Sequence, residues 1–347
     1  MAKITPKDNF MRIIAGGMPE YVPVYTMMGD PYLGEVADVN LMAPVFKDDS
    51  FSGGKDMWGV PQAQASSGTA AYMPDTSFHL FDDIEDWSKA IKFPETPDVN
   101  SLDWHAMYEN GIKMFNIDRE QSCVKCGPSF MPFQELVAMM GFENGLAALY
   151  TDPEEVLAML MAMVDVVEPV FTRVMDEFKP DMWSMGDDTC AKETPFFSPA
   201  IYEQVFLPVY QRLAKPAFER GIPIIFHNCG KIDEFMDFMI SYGVKLVEPV
   251  QETNDLPALK EKYKGKCGFI GGWDYGVRMP KNYPEYDEEE FRAGIREIID
   301  KNSVGGGYGF FGWPISYPGD PVCEELKHIM RDEAHWYGRK VYGYTGD

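Results

Sequence analysis

The chain has 347 residues, of which 25% are charged and 45% hydrophobic, and this composition is typical of a soluble globular protein. The formal net charge of −24 would repel phosphate backbones, and no cluster of Lys and Arg interrupts it, so nucleic acid is excluded as a partner. No run reaches the roughly 18 apolar residues needed to cross a bilayer, and no apolar leader precedes the first glycines. We therefore expect a cytoplasmic protein that does not bind a membrane.

Helix starts are visible where a side-chain oxygen precedes a proline. The acceptors are Thr5, Asp152, Ser198 and Asp320, each followed directly by Pro. An acceptor at the N-cap with Pro at the first helical position is typical of a helix N-terminus. We predict that helices begin at these places.

Short β-rich runs lie between these helix starts, and they are apolar, as buried parallel strands are. The runs cover residues 21–25, 122–126, 181–185, 222–227, 244–250, 267–270 and 308–311. Strands and helices alternating at this rhythm predict an α/β fold, namely a (β/α)8 TIM barrel. An eighth strand is expected between residues 75 and 120.

The N-terminal third is the least periodic part of the sequence. Prolines at positions 61, 74, 94 and 97 interrupt it among aromatic residues. We expect residues 28–118 to form an irregular lid or insertion, which elaborates the N-terminal region of a single TIM-barrel domain spanning residues 1–347.

Polar residues follow several predicted strands at the point where each strand ends. They are Gly-Asp-Asp at 186–188, His-Asn-Cys-Gly at 227–230, Glu248, and Gly-Gly-Trp-Asp at 271–274. The active sites of TIM barrels are built at the carboxyl ends of the strands. We therefore expect these segments, which are distant in sequence, to form one site.

Several residues of these segments suit metal binding or proton transfer. His227 and Cys229 offer imidazole and thiolate, which bind zinc well, although a hydrogen-bonded His and an inert thiol are the alternative for so short a motif. Glu248 lies in an apolar strand, where a carboxylate must be paired or border a cavity. Asp187 and Asp188 are candidates for holding a metal, accepting a proton or orienting a substrate, and a turn hydrogen bond is the alternative for Asp188.

Residues near the last two strand ends are candidates for a substrate pocket. Trp273, Phe311 and Trp313 would wall an apolar cavity, with Asp274 among its polar groups. In a chain that is 14% aromatic throughout, the same rings are equally consistent with core packing.

Four motifs follow one another along the chain. They are TPKDNFMRIIAGGMPEYVPV at 5–24, GDD at 186–188 with SPAIYEQVFLPVYQRL at 198–213, HNCG at 227–230, and GGWD at 271–274. In this order they resemble the uroporphyrinogen decarboxylase superfamily over nearly the whole chain. The resemblance implies a TIM-barrel enzyme.

The porphyrin decarboxylases of this superfamily carry an arginine-rich segment after the first strand, which binds the acidic side chains of the porphyrinogen. Here residues 25–35 read YTMMGDPYLGE and contain no Arg. A site without these cations is poorly suited to a polycarboxylate. The resemblance therefore favours the corrinoid-dependent methyltransferase branch, and a decarboxylase of the same superfamily stays an alternative.

The methyltransferase branch uses a His-x-Cys motif at a strand end to bind zinc, and His227 and Cys229 match this motif. Its coenzyme M methyltransferases add a Cys in a Gly-Cys-Gly near the last strand, where this chain has Phe311-Gly312-Trp313. A methylcorrinoid:coenzyme M methyltransferase is therefore the second alternative. With KDMWGV at 55–60 and YGFFGW at 308–313, the chain resembles the demethylating enzymes, which take a methyl group from a methyl ether or similar donor and pass it to cobalt. The resemblance implies a methoxylated aromatic as the donor.

The resemblance also implies roles for individual residues. His227, Cys229 and Glu248 would bind zinc, which polarises the ether oxygen, and Asp187 or Asp188 would donate a proton or support the ligands. Because the sequence contains no Asp-x-His-x-x-Gly motif for corrinoid ligation, the cob(I)amide acceptor would arrive on a separate corrinoid protein. A non-catalytic binder of a small aromatic ligand is the last alternative. The sequence leaves open whether the chain forms a homodimer.

Overall fold

The computed structural model of the protein describes residues 4–26, 35–39, 45–64, 72–114, 116–313 and 319–346. The strands of these residues are β1 Val36–Asp38, β2 Gln62–Gln64, β3 Tyr72–Pro74, β4 Cys123–Cys126, β5 Met182–Gly186, β6 Ile224–His227, β7 Val244–Val250, β8 Gly268–Gly272 and β9 Tyr308–Phe311. A seven-stranded parallel sheet has the order β1-β4-β5-β6-β7-β8-β9. β2 and β3 form a separate antiparallel pair.

Helices connect the strands of the parallel sheet. The α-helices are Pro6–Met11, Trp87–Ala90, Trp104–Met114, Pro132–Met140, Phe142–Thr151, Pro153–Phe178, Pro199–Ile201, Leu207–Glu219, Met236–Ser241, Leu256–Lys262, Tyr275–Arg278, Glu288–Ser303 and Pro321–Val341. Short 3-10 helices lie at Ile14–Gly16, Ser50–Ser52 and Ile84–Asp86, and a π-helical turn at Tyr202–Phe206. Within the described ranges, no helix has the length and apolarity needed to cross a membrane.

The helices predicted from the acceptor–proline pairs are all present. The side chains of Thr5, Ser198 and Asp320 accept hydrogen bonds from backbone amides of the first turn, so these caps are confirmed. The helix Pro153–Phe178 begins where it was predicted, but the side chain of Asp152 makes no capping hydrogen bond.

The segment that precedes β1 closes the sheet into a barrel. Val24 pairs in parallel with Phe310 of β9, and the amide of Tyr25 donates to the Phe310 carbonyl at 2.8 Å. Towards β1, the buried Glu35 carboxylate accepts a hydrogen bond from the Val24 amide at 2.5 Å. The carbonyl of Glu35 accepts from the Cys123 amide at 2.9 Å. Glu35 thus joins the two edges of the seam, and the predicted α/β TIM barrel is confirmed.

The eighth strand lies outside the range that the sequence predicted. The described residues between 75 and 120 contain helices and no strand, and the additional barrel strand is β1. The predicted location was wrong because a three-residue strand in an aperiodic stretch carries too little periodicity to be detected. Residues 28–34, 40–44, 65–71 and 115 of the predicted lid lie outside the described residues, so the lid stays a prediction.

The side chains inside the barrel form two layers. The lower layer is apolar and contains Val36, Cys123, Met182, Ile225, Leu246 and Ile270, with Phe10 and Ile13 from the N-terminal segment. Because side chains of a strand alternate between its faces, the residue two positions further on points to the same side. In β1, β4, β6 and β7 this residue is Asp38, Lys125, His227 and Glu248, respectively. A polar layer therefore lies above the apolar layer, at the carboxyl ends of the strands.

The seam at Glu35 generates a test of stability against pH. Desolvation by burial raises the pKa of Glu35 from 4.5 to about 8. The folded protein then holds a proton that the unfolded chain releases, so stability is lost as the pH rises from about 5 to about 8. We expect the free energy of unfolding of the wild type to fall over this range relative to that of Glu35→Gln, which keeps a neutral acceptor.

Urea denaturation at several pH values measures this difference. Glu35→Ala, which leaves the Val24 amide without its partner, is expected to destabilise the fold by about 1–3 kcal/mol across the range. Parallel pH profiles for the wild type and Glu35→Gln would show that Glu35 does not titrate at the seam.

Candidate metal centre

Three side chains that bind metals well come together at the carboxyl ends of β5 and β6. Asp188 follows β5, His227 ends β6, and Cys229 lies two residues further on. A ligand atom of each lies within 4.8 Å of those of the other two. His227 Nε2 lies 3.6 Å from Cys229 Sγ and 3.5 Å from Asp188 Oδ1, and the Cys229 amide donates to Asp188 Oδ1 at 3.0 Å. These three residues are called the ligand group below.

The spacing of the ligand group fits a tetrahedral zinc ion. With Zn–N and Zn–O distances of about 2.1 Å and a Zn–S distance of about 2.3 Å, neighbouring ligand atoms lie about 3.4–3.6 Å apart. Both distances measured from His227 Nε2 agree with this geometry. Three protein ligands leave a fourth position for water or substrate. The group is also open to solvent, since 37% of the Asp188 side chain and 20% of the His227 side chain are exposed.

A glycine and an amide side chain bring the two loops of the ligand group together. Gly186 permits the close approach of β5 and β6, because a Cβ there would lie 2.8 Å from the Cβ of His227. Buried Asn228 donates to Thr189 Oγ1 at 2.7 Å and accepts from the Thr189 amide at 3.1 Å. The ligand atoms are therefore held in place by the protein itself. The sequence analysis did not identify Asn228, although it lies inside the HNCG motif.

Glu248 lies behind the imidazole rather than in the ligand group. Its Oε2 is 3.1 Å from His227 Nδ1, on the opposite side of the ring from Cys229 and Asp188, and the side chain is 2% exposed. A carboxylate in this position fixes the orientation of a metal-binding imidazole. The structure thus brings Asp188 together with His227 and Cys229, whereas Glu248, the third predicted ligand, is hydrogen-bonded to the far side of the imidazole.

Neighbouring charges in the site shift the pKa values of His227 and Asp188. Burial alone would lower the pKa of His227, but the Glu248 carboxylate and hydrogen bonds to Asp188 and Cys229 raise it well above its usual range. Burial likewise opposes the ionised form of Asp188, yet its hydrogen bond to His227 lowers its pKa to about 2. The pocket around the imidazole is therefore strongly anionic and suits a cation.

Asp187 is fully buried and holds a helix. Its carboxylate accepts from the amides of Phe133 at 2.5 Å and Gln134 at 3.1 Å, in the first turn of the helix Pro132–Met140. It also accepts from the Tyr210 hydroxyl at 2.7 Å. Desolvation by burial raises the pKa of Asp187 to about 7. These contacts use the carboxylate to anchor the loop that carries Asp188.

The predicted substrate residues lie in two places. Phe311 belongs to the barrel interior, with its ring 5.7 Å from that of Tyr25, and Trp313 is partly exposed beneath the Lys327 ammonium. Trp273 is 5% exposed, and its ring lies 5.3 Å from that of Phe291 in the helix Glu288–Ser303. Asp274, also 5% exposed, accepts a hydrogen bond from a backbone amide of the next turn.

Trp273 also lines a cavity of about 650 Å³ at the flank of the barrel. The other lining residues lie between positions 277 and 297, in the loop after β8 and the helix Glu288–Ser303. The ligand group is not among them. The cavity and the ligand group are therefore separate features of the rim.

A parallel barrel whose candidate metal ligands lie at the carboxyl ends of its strands defines a TIM-barrel protein with its site on the catalytic face. Residues 100–310 match the family model described as uroporphyrinogen decarboxylase (URO-D). Because this match covers more than half of the chain, the protein belongs to the URO-D family, and the predicted superfamily is confirmed.

One solved structure supports the same fold. A methyltransferase from Methanosarcina mazei is 14% identical, with a TM-score of 0.63, and the match covers 96% of this chain and 99% of that chain. A D-allulose 3-epimerase from Methylomonas sp. is also 14% identical and matches 77% of this chain and 93% of that chain, but its TM-score of 0.33 is too low to support an inference. No curated protein sequence matches the chain significantly.

The ligand group generates a test by metal binding. Protein stripped with a chelator and reloaded is expected to bind a single Zn²⁺ per chain, measured by elemental analysis after gel filtration. His227→Ala and Cys229→Ala should abolish stoichiometric binding, and Asp188→Asn should weaken it, because each removes a ligand.

The matched control for this experiment is His79→Ala, which removes a surface imidazole that also contacts a carboxylate, Asp82, at 2.8 Å. It should bind Zn²⁺ like the wild type. Stoichiometric zinc in both His227→Ala and Cys229→Ala would show that the ligands are wrongly assigned.

Proposed function

We propose that this protein is a methyltransferase that takes a methyl group from a methyl ether, most simply a methoxylated aromatic, and passes it to the cob(I)amide of a separate corrinoid protein. The observation that carries this proposal is the ligand group, which offers zinc three ligands and an open position at the mouth of a URO-D barrel. The fold shared with a methyltransferase supports the same class of reaction.

The reaction breaks the bond between the methyl carbon and the ether oxygen. The electron pair of cob(I)amide forms the new bond to carbon, the pair of the C–O bond stays on oxygen, and that oxygen takes up a proton. When bound, zinc would act as a Lewis acid that stabilises the negative charge on this oxygen. Because the site is partly exposed, water can reach the leaving oxygen and supply its proton.

The residues of the site have different roles in the proposed reaction. Asp188, His227 and Cys229 would hold the metal, and Glu248 orients His227. Asp187 acts through the loop that it anchors rather than on the substrate, because its carboxylate is used by the helix Pro132–Met140.

The aromatic side chains next to the polar layer support the proposal of an aromatic substrate. Phe311 lies against Tyr25, whose hydroxyl contacts Glu248 at 3.3 Å, so two aromatic rings lie next to the polar layer. We propose that Phe311 and Trp313 contact the ring of the substrate. Trp273 and Asp274 shape the rim, on which the corrinoid protein would dock.

Two observations disfavour the related activities. Residues 25–35 contain no Arg for a porphyrin carboxylate. Position 312, where coenzyme M methyltransferases would place their further thiol, is a glycine. The third ligand position is filled instead by Asp188, whose oxygen suits polarisation of an ether.

Spectroscopy of cobalamin tests the proposal directly. Zinc-loaded protein is incubated with reduced free cobalamin and a panel of methoxylated aromatics, methylamines and methanol, and the conversion of cob(I)alamin to methylcobalamin is followed. We expect conversion with methoxylated aromatics, and a loss of at least about 100-fold in rate for His227→Ala, because transition-state charge on oxygen is no longer stabilised.

His79→Ala serves again as the control and should keep the wild-type rate. Conversion with amines or methanol alone would correct the donor class. No conversion by zinc-loaded protein, with free cobalamin or with corrinoid proteins from demethylating bacteria, would refute the methyltransferase proposal.

A further inference from the structure

A chain of buried polar groups runs through the barrel beneath the ligand group. Lys125 Nζ lies 3.2 Å from Asp38 Oδ2 and donates to the Tyr25 hydroxyl at 2.7 Å. That hydroxyl contacts Glu248 Oε1 at 3.3 Å, and Glu248 Oε2 lies 3.1 Å from His227 Nδ1. Lys125, Tyr25 and Glu248 are each at most 2% exposed, so water does not replace these partners.

Because lysine can only donate, it sets the direction of donation along this series of hydrogen bonds. An ammonium group has three donors and no acceptor, so the Tyr25 oxygen must accept from Lys125. The single hydroxyl hydrogen of Tyr25 is then directed to Glu248. An ionised carboxylate only accepts, so the remaining oxygen of Glu248 takes the Nδ1 hydrogen of His227. With Nδ1 committed to Glu248, Nε2 is the ring nitrogen that is left to face Cys229 and Asp188.

The position of Lys125 supports a role in the site rather than in packing. It lies in β4 two residues after Cys123 of the apolar layer, at a place where an apolar residue would fill the barrel. Burying an ammonium there is unfavourable unless it is paired, and its partners are Asp38 and Tyr25. The sequence analysis did not single out any of these three residues.

We infer that Lys125 and Tyr25 are positioning residues for the metal centre: their hydrogen bonds orient Glu248 and thereby direct His227 Nε2 to the metal position. The inference rests on the proposed zinc site and extends it by two residues into the barrel. It assigns an effect on metal affinity and geometry to Lys125, which lies three contacts away from His227.

Metal binding by single-site variants tests this inference. Lys125→Met removes the donor that sets the direction, and Tyr25→Phe removes the hydroxyl between Lys125 and Glu248. Zn²⁺ affinity is measured by competition with a chromophoric chelator, and the Co²⁺-substituted protein is examined by absorption spectroscopy, which reports the thiolate bond and the tetrahedral geometry. We expect both variants to bind Zn²⁺ roughly tenfold more weakly, with altered Co²⁺ bands, since supporting partners of metal ligands have effects of about 10–100-fold.

Matched controls separate positioning from a general loss of stability. Lys7→Met removes another ion-paired lysine, 2.7 Å from Asp181, and Tyr202→Phe removes another buried hydroxyl, 3.0 Å from that of Tyr242. Both controls should keep the Zn²⁺ affinity and the Co²⁺ spectrum of the wild type. If Lys125→Met does not fold, Tyr25→Phe alone decides.

The outcomes distinguish this inference from the proposed function. Wild-type affinity and spectra in both Lys125→Met and Tyr25→Phe would overturn the positioning role and leave the zinc site intact. Failure of the wild type itself to bind Zn²⁺ or Co²⁺ would overturn the zinc site and the positioning role together. Equal losses in the variants and the controls would assign the effect to stability and also overturn the inference.

Discussion

The contact between His227 Nδ1 and the Glu248 carboxylate joins the interior of the barrel to the ligand group at its mouth. A carboxylate that is 2% exposed needs partners inside an apolar barrel, and His227 and Tyr25 supply them. β6 and β7 pair so that His227 lies directly opposite Glu248. A slip of one residue in β7 would turn Glu248 to the outside, so the geometry of the site depends on strand register.

The two layers of the barrel interior follow from the same alternation. Ile225 and Leu246 lie in the apolar layer, and two residues further along each strand come His227 and Glu248. The apolar layer packs the barrel, while the polar layer above it faces the open carboxyl ends where substrates of TIM barrels bind. The residues that pack the barrel and the residues of the candidate site are thus only two positions apart along each strand.

Much of the fold could be predicted from local patterns, and the parts that could not are short. The apolar runs that became β4 to β9 were found because each is a short, mostly continuous stretch of hydrophobic side chains. β1 was not found, because Val36–Asp38 is too short to show alternation. Val24, in the predicted first strand, makes only one bridge, and the Glu35 side chain joins the remaining edge of the seam.

The residue types of the candidate site could be predicted from the sequence, but which carboxylate joins His227 and Cys229 could not. His227 and Cys229 follow from the strand end, but two neighbouring carboxylates look alike in sequence. The helix that begins at Pro132 takes Asp187 as the acceptor of its free amides, which leaves Asp188 for the ligand group. Lys125 carries the same signal as Glu248, a charge within an apolar strand, and that signal applied to every strand would have found it.

The ligand group also bears on which methyl donor the site can use. Thiolate ligands donate electrons strongly to a metal, whereas a carboxylate leaves it harder and more able to polarise oxygen. A carboxylate ligand such as Asp188 therefore suits the phenolate or alkoxide leaving group of the proposed reaction. Asn228 ties the Asp188 loop to the HNCG turn and so keeps Asp188 beside His227 and Cys229. The proposed reaction at an ether oxygen therefore depends on the contacts that hold Asp188 in the ligand group.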